Sequence, residues 1–239
     1  MIETFTALLF AHVLADFVLQ TAWINAQKRR APVMLVHAAL VLLCAQLATG
    51  HWDSPWLLAL AAAHVLIDIV KIRGGFHHIR GFLADQAAHL VTIGAVAAIA
   101  PRLWQTGPWA DLPALLPLMA IASGIIIALT AGQYAVALLM RPHGTRIRNN
   151  GLRDGGRQIG ILERGLILTL ILLNQPLGVG FLIAAKSILR FGTATRDQRT
   201  AEYVIIGTLA SFGWAILTAE ATRALLMLLP PLEIAGWAP

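Results

Sequence analysis

The sequence predicts an all-α protein, a polytopic transmembrane helical bundle of about eight apolar segments. Three observations carry that fold class. Of 239 residues, 58% are hydrophobic and only 13% charged, too little charge to clothe a soluble domain of this length. Long apolar runs such as Leu115–Met140 and Val204–Leu229 match the thickness of a bilayer's hydrocarbon. The period-two alternation of a membrane barrel strand is absent, which leaves helices.

In chain order the segments lie at roughly 4–21, 32–49, 55–72, 84–100, 113–140, 159–174, 177–190 and 202–229. The first follows Met1-Ile2-Glu3, which lacks the basic stretch of a signal peptide, so this helix is expected to be retained. It is followed by Lys28, Arg29 and Arg30. The third is followed by Lys71, Arg73 and Arg80. Arg141, Arg146, Arg148, Arg153 and Arg157 follow the fifth, and Arg190, Arg196 and Arg199 the seventh, whereas the alternate loops hold Arg102 and almost nothing else. By the positive-inside rule this pattern predicts a multi-pass protein of a bacterial inner membrane, with both termini on the outer side and four cytoplasmic basic loops. Trp52, Trp56, Trp104 and Trp109 are expected as an outer interfacial belt. The sixth and seventh segments, separated by Asn174-Gln175-Pro176-Leu177-Gly178, are either two short tilted spans or a re-entrant pair. The net charge of +6 sits in the basic loops. It is read as contact with anionic lipid head groups of the bilayer, and no nucleic acid partner is expected. Cys44 is the only cysteine, which rules out a disulfide or a thiolate metal site within the chain. Nothing in the sequence sets the oligomeric state.

The first four segments carry a repeat. His12-Val-Leu-Ala-Asp16-Phe-Val18 recurs as His64-Val-Leu-Ile-Asp68-Ile-Val70, 52 residues on, and the same offset relates His37 to His89. This predicts a helical hairpin at about 4–49 duplicated at about 55–100, the two packed about a pseudo-two-fold axis along the membrane normal. Residues 1–100 then form a His/Asp domain, and 101–239 a C-terminal transmembrane region with a basic cytoplasmic loop at 141–158. Residues four apart share a helix face, so His12, Asp16 and Gln20 form one stripe. His64, Asp68 and Lys71 form a second, and Asp85 with His89 a third. All lie near cytoplasmic loops, so they can converge in one inner-leaflet layer.

An Asp at mid-span costs about 2.5–3.5 kcal/mol on insertion scales, so these carboxylates need partners. A divalent metal supplies them: zinc first, with manganese or iron also suited to His and carboxylate ligands. The candidate metal ligands are His12, Asp16, His37, His64, Asp68 and His89. The alternative is that the same groups neutralise one another as a helix-locking layer. His51, His77, His78 and His143 are read as solvated. In the second half, Glu163, Arg164, Lys186, Arg190 and Glu202 are read either as ion pairs, such as Glu163 with Lys186 or Arg190, or as an anion pocket.

The motifs His12-x3-Asp16-Phe-x2-Gln20, His64-x3-Asp68-x2-Lys71 and Asp85-Gln86-x2-His89 resemble those of a family of bacterial multi-pass membrane proteins known only as a domain of unknown function. That resemblance covers roughly the first 100 residues. Gly160-Ile-Leu-Glu163-Arg164, Lys186-Ser-x2-Arg190-Phe191 and Glu202-Tyr203 resemble its longer members. It implies no activity. A looser similarity is to membrane-bound metal-dependent hydrolases, which also place His and Asp near helix ends.

Three functional readings follow. The first is a metal-dependent hydrolase of a lipid or lipid-linked anionic substrate. In it Asp85 is the general base, Lys71 acts beside it on an anionic head group, and Gln20, Arg164, Lys186 and Arg190 bind substrate. The second is a divalent-metal transporter, against which the outer halves of the spans carry few polar residues. The third is a non-catalytic membrane assembly or sensing subunit.

Overall fold

The computed structural model describes residues 1–143, 154–194 and 198–232, with the side chains of 189–194 outside the description. Among the described residues every regular element is helical. α1 (Ile2–Leu14) runs into a π-helical turn (Ala15–Leu19) and a short α2 (Ala22–Gln27), followed by α3 (Ala31–Thr49), α4 (Pro55–Arg73) and α5 (Ile79–Ile99). α6 (Leu115–Ile126), a second π-helical turn (Ile127–Ala131) and α7 (Gly132–Met140) make one longer rod, and α8 (Gly155–Leu172), α9 (Pro176–Ala194) and α10 (Gln198–Leu226) complete the chain.

Local chemistry sets several of these ends. The Thr21 hydroxyl accepts from Ile24 N at 3.3 Å and caps α2. Pro32 and Pro55 stand in the first turns of α3 and α4, where a missing N–H costs nothing. Gly50 ends α3 at φ +75°, a left-handed conformation that a side chain resists.

All eight expected apolar segments fall on helices. Six of them are long and apolar enough to cross a membrane: Ile2–Leu19, Ala31–Thr49, Pro55–Arg73, Ile79–Ile99, Leu115–Met140 and Gln198–Leu226. The other two fall short of that measure. α8 carries Arg157, Glu163 and Arg164, and the described apolar stretch of α9 is only Pro176–Ile188. Large apolar side chains such as Leu35, Leu58, Leu66 and Val91 point outward, as hydrocarbon-facing helices require.

The chain divides into two compact units. Among the described residues, the first comprises Met1–Ile126 and 225–232, and the second lies within Ile127–Ala224. In the first, α1 packs on α3, α5 and α6, α3 on α4, and α4 on α5, so α1, α3, α4 and α5 close a four-helix ring. Small residues (Ala7, Ala11, Ala45, Ala61) let the backbones approach. Leu8, Val41, Leu57, Leu60 and Ile93 fill the centre. Residues 100–114 fold back onto this core. The Thr4 hydroxyl donates to Pro101 O at 3.0 Å and accepts from Trp104 N at 3.2 Å. Trp104, expected in the interfacial belt, is therefore a core residue, only 3% exposed, while Trp52 and Trp56 stay outside. His51 likewise departs from its expected solvated state: its Nε2 donates to Leu103 O at 2.7 Å.

In the second unit, Ile167, Leu168, Ile171, Val179, Phe212 and Ala215 form the core. Its π-helical turn leaves carbonyls short of helical partners, and side chains take them up. Trp214 Nε1 donates to Ile127 O at 2.9 Å, Arg164 Nε to Ala128 O at 2.8 Å, and Arg164 Nη2 to Leu129 O at 3.1 Å.

Candidate metal centre

The ring of α1, α3, α4 and α5 converges its polar side chains on one another. The π-helical turn holds Asp16, its wider winding marked by the bond from Gln20 N to Ala15 O at 2.9 Å. The matching stretch of α4 is ordinary α-helix. The two His-x3-Asp stripes, alike in sequence, thus differ in winding: His12 Nδ1 and Asp16 Oδ2 lie 4.0 Å apart, His64 Nε2 and Asp68 Oδ2 3.6 Å.

Three donor atoms from three spans, those of Asp16, His37 and His64, crowd one point, and Asp68 Oδ2 lies beside two of them. His37 Nε2 lies 3.1 Å from His64 Nε2, 3.4 Å from Asp16 Oδ1 and 3.4 Å from Asp68 Oδ2. His64 Nε2 lies 3.2 Å from Asp16 Oδ1 and 3.6 Å from Asp68 Oδ2. A single imidazole N–H points in one direction and cannot serve three partners. A cation with bonds of about 2.0–2.1 Å and tetrahedral geometry has ligand–ligand edges of about 3.3–3.4 Å, and the three distances among Asp16 Oδ1, His37 Nε2 and His64 Nε2, 3.1–3.4 Å, are close to that value. His37 is fully buried, and His64 and Asp68 are nearly so. Asp16, His37 and His64 form one of three groups whose donors lie within 4.8 Å of one another; the others are His12, His64 and His89, and Asp68, Asp85 and His89.

The imidazoles stack into a continuous patch. Ring centroids of His64 and His89 are 4.1 Å apart and those of His12 and His89 4.9 Å. Beside them lies a cavity of about 10 Å³ lined by His12, His64, His89, Thr92 and apolar residues including Leu8, Val41, Leu60 and Ile93. That is room for about one water.

Around this centre sit cationic and amide groups that orient it. Lys28 Nζ donates to Asp68 Oδ2 at 2.7 Å, with Lys28 only 7% and Asp68 2% exposed. Lys71 donates to Asp85 Oδ2, and Gln86 Nε2 donates to the same oxygen at 3.1 Å. A carboxylate only accepts, so the Gln86 nitrogen must face Asp85 and its Oε1 must face His12, 3.2 Å from His12 Nε2. His12 then carries its proton on Nε2 and keeps a lone pair on Nδ1. Partners of this kind set the tautomer and aim of metal ligands.

Lys28 and Gln86 are absent from the candidates drawn from sequence. Gln86 stands inside the Asp85-Gln86-x2-His89 motif, which was the available signal. Lys28 reads from sequence only as a basic loop residue; the structure buries it against Asp68.

The six expected ligands therefore all belong to the cluster, with Asp85 beside His89 and Lys71 beside Asp85. Gln20 stands apart from these contacts, its Nε2 donating to Asn25 Oδ1 at 3.4 Å. Arg164 and Lys186 are in the second unit. Arg164, besides its two carbonyls, donates from Nη1 to Ser211 Oγ at 3.1 Å. Lys186 pairs with Glu163 and lies 4.8 Å above the Phe212 ring. Both side chains are thus engaged in holding the second unit together. The Arg190 side chain, and Arg146, Arg148, Arg153 and Arg196, lie outside the described residues.

Residues 4–108, which contain every donor of the cluster, match the family described as "Protein of unknown function (DUF3307)". The uncharacterised family that the motifs resemble is found over this region, whereas the looser similarity to metal-dependent hydrolases is not shown. No curated protein and no solved structure matches the chain.

Proposed function

We propose that the first unit holds a divalent cation, zinc ahead of manganese or iron, between Asp16, His37 and His64, with Asp68 beside them, at the cytoplasmic leaflet. We further propose that the protein is a metal-dependent hydrolase of a lipid or lipid-linked anionic substrate. One observation carries the reading: the convergence of His37 Nε2 on an imidazole nitrogen and two carboxylate oxygens at 3.1–3.4 Å. Hydrogen bonding alone leaves that arrangement short of protons, and a cation resolves it. The donor set of neutral imidazoles and carboxylates suits zinc, and carboxylates also suit manganese and iron.

A cation there supplies Lewis acidity toward a water and toward a substrate carbonyl or phosphoryl oxygen. The chain's own groups position the rest. Lys71, with a quarter of its side chain exposed, is the cationic group best placed to meet an anionic head group. Lys28 and Gln86 hold the carboxylates and His12 in place. The basic loops favour an anionic leaflet. Transport is the weaker reading, because the imidazoles abut Leu8, Val41, Leu60 and Ile93 around a cavity the size of a water.

Elemental analysis of protein purified from membranes tests the centre. Stoichiometric metal in the parent, lost in Asp16→Ala and Asp68→Ala, is expected; a metal-free parent that takes up no zinc on dialysis overturns it. Proteoliposomes containing the metal-loaded protein then separate the chemistries. Headgroup release from anionic lipid without cation flux supports hydrolysis, and cation flux without lipid turnover refutes it.

A further inference from the structure

Asp85 and His89 present donors that the first position does not use. The outer oxygen of Asp85, Oδ2, is taken by Lys71 Nζ and Gln86 Nε2. Its inner oxygen, Oδ1, is buried without a hydrogen-bond partner, and so are both ring nitrogens of His89, a residue only 1% exposed. The two face each other: His89 Nε2 lies 3.6 Å from Asp85 Oδ1. That is too long for a hydrogen bond, which spans about 2.7–3.2 Å. It is the spacing of two ligands on one cation with bonds of about 2.0–2.2 Å. A carboxylate oxygen of Asp68 completes a group of three donors within 4.8 Å.

We infer that Asp85, His89 and Asp68 hold a second divalent cation, so that the centre is dinuclear. This rests on the metal centre proposed above and extends it. The first position is formed by Asp16, His37 and His64 and the second by Asp68, Asp85 and His89. Three protein ligands is the count of a catalytic site, and one of the second position's three, His89, lines the cavity together with His12 and His64. His12, its Nδ1 lone pair left free by the bond to Gln86, lines the same cavity. Asp85 becomes a ligand in this assignment, in place of the general-base role its sequence position suggests.

The test is metal stoichiometry with zinc as the probe. The full-length protein in detergent is stripped by chelator, reloaded and desalted, and zinc is measured per chain. Two equivalents are expected in the parent and one in His89→Gln and in Asp85→Asn. X-ray absorption on the reloaded parent is expected to show a metal–metal distance of about 3.5–4 Å that both variants lack. Elution volume and melting in chelator, matched to the parent, identify variants that remain folded. If either variant fails that criterion, the parent's stoichiometry and metal–metal distance decide alone. One equivalent in the parent, retained in His89→Gln, overturns the second position and leaves the first standing. No zinc in the parent overturns both.

Discussion

The Lys28–Asp68 pair offers the sharpest test of the geometry around the centre. The ammonium and the carboxylate meet at 2.7 Å with 7% and 2% of their residues exposed, so neither has bulk water to fall back on. Asp68→Asn keeps the shape but strands a buried ammonium, a loss worth about 3–5 kcal/mol where one partner of a buried pair is removed. Removing both charges with Lys28→Met and Asp68→Asn leaves no stranded charge, and such replacements are commonly neutral or stabilising. The expected result, in chelator so that metal does not contribute, is a large loss for Asp68→Asn and recovery of most of it in the double variant. Unfolding by denaturing detergent, followed by tryptophan fluorescence, measures both. If the double variant is as unstable as Asp68→Asn alone, the loss comes from packing, and the buried ammonium plays no such role. Metal content supplies a second, independent readout, because the double variant regains stability but not the carboxylate ligand.

Three further outcomes are expected. Zinc retention falls as pH is lowered from about 8 to about 5.5, because protons compete for the imidazole and carboxylate donors and metal release takes them up; retention that is flat across this range in equilibrium dialysis refutes a His/Asp centre. Arg164→Lys withdraws the planar fork from the carbonyls of Ala128 and Leu129 and destabilises the protein by about 1–3 kcal/mol for each buried carbonyl left without a donor, with bound metal unchanged. Gly50→Ala places a Cβ 2.4 Å from Pro108 Cδ at a residue with φ +75°, so a loss of more than about 1 kcal/mol is expected; a melting temperature equal to the parent's counts against this account of the α3 end.

What the sequence determined alone was the solvent and the residues that form the polar cluster. Fifty-eight per cent hydrophobic residues in long runs require lipid and helices, because backbone groups in hydrocarbon must bond within their own segment. The 52-residue offset of His12-x3-Asp16 and His64-x3-Asp68, with His37 and His89 beyond, marks the residues to consider, because a period of four places them on shared helix faces. Sequence could not see which donors share a point. Helical spacing pairs His64 with Asp68, yet the shortest His–Asp distance of the centre is between His64 and Asp16 on a different span, across the π-helical turn that one copy has and the other lacks. Nor could it see that Trp104 turns inward, that Lys28 is buried against Asp68, or that Arg164 binds the carbonyls of a π-helical turn. Each of these depends on where a neighbouring backbone leaves a polar group without a partner. Only packing decides that, since a periodicity records which face a residue occupies and not what stands opposite it.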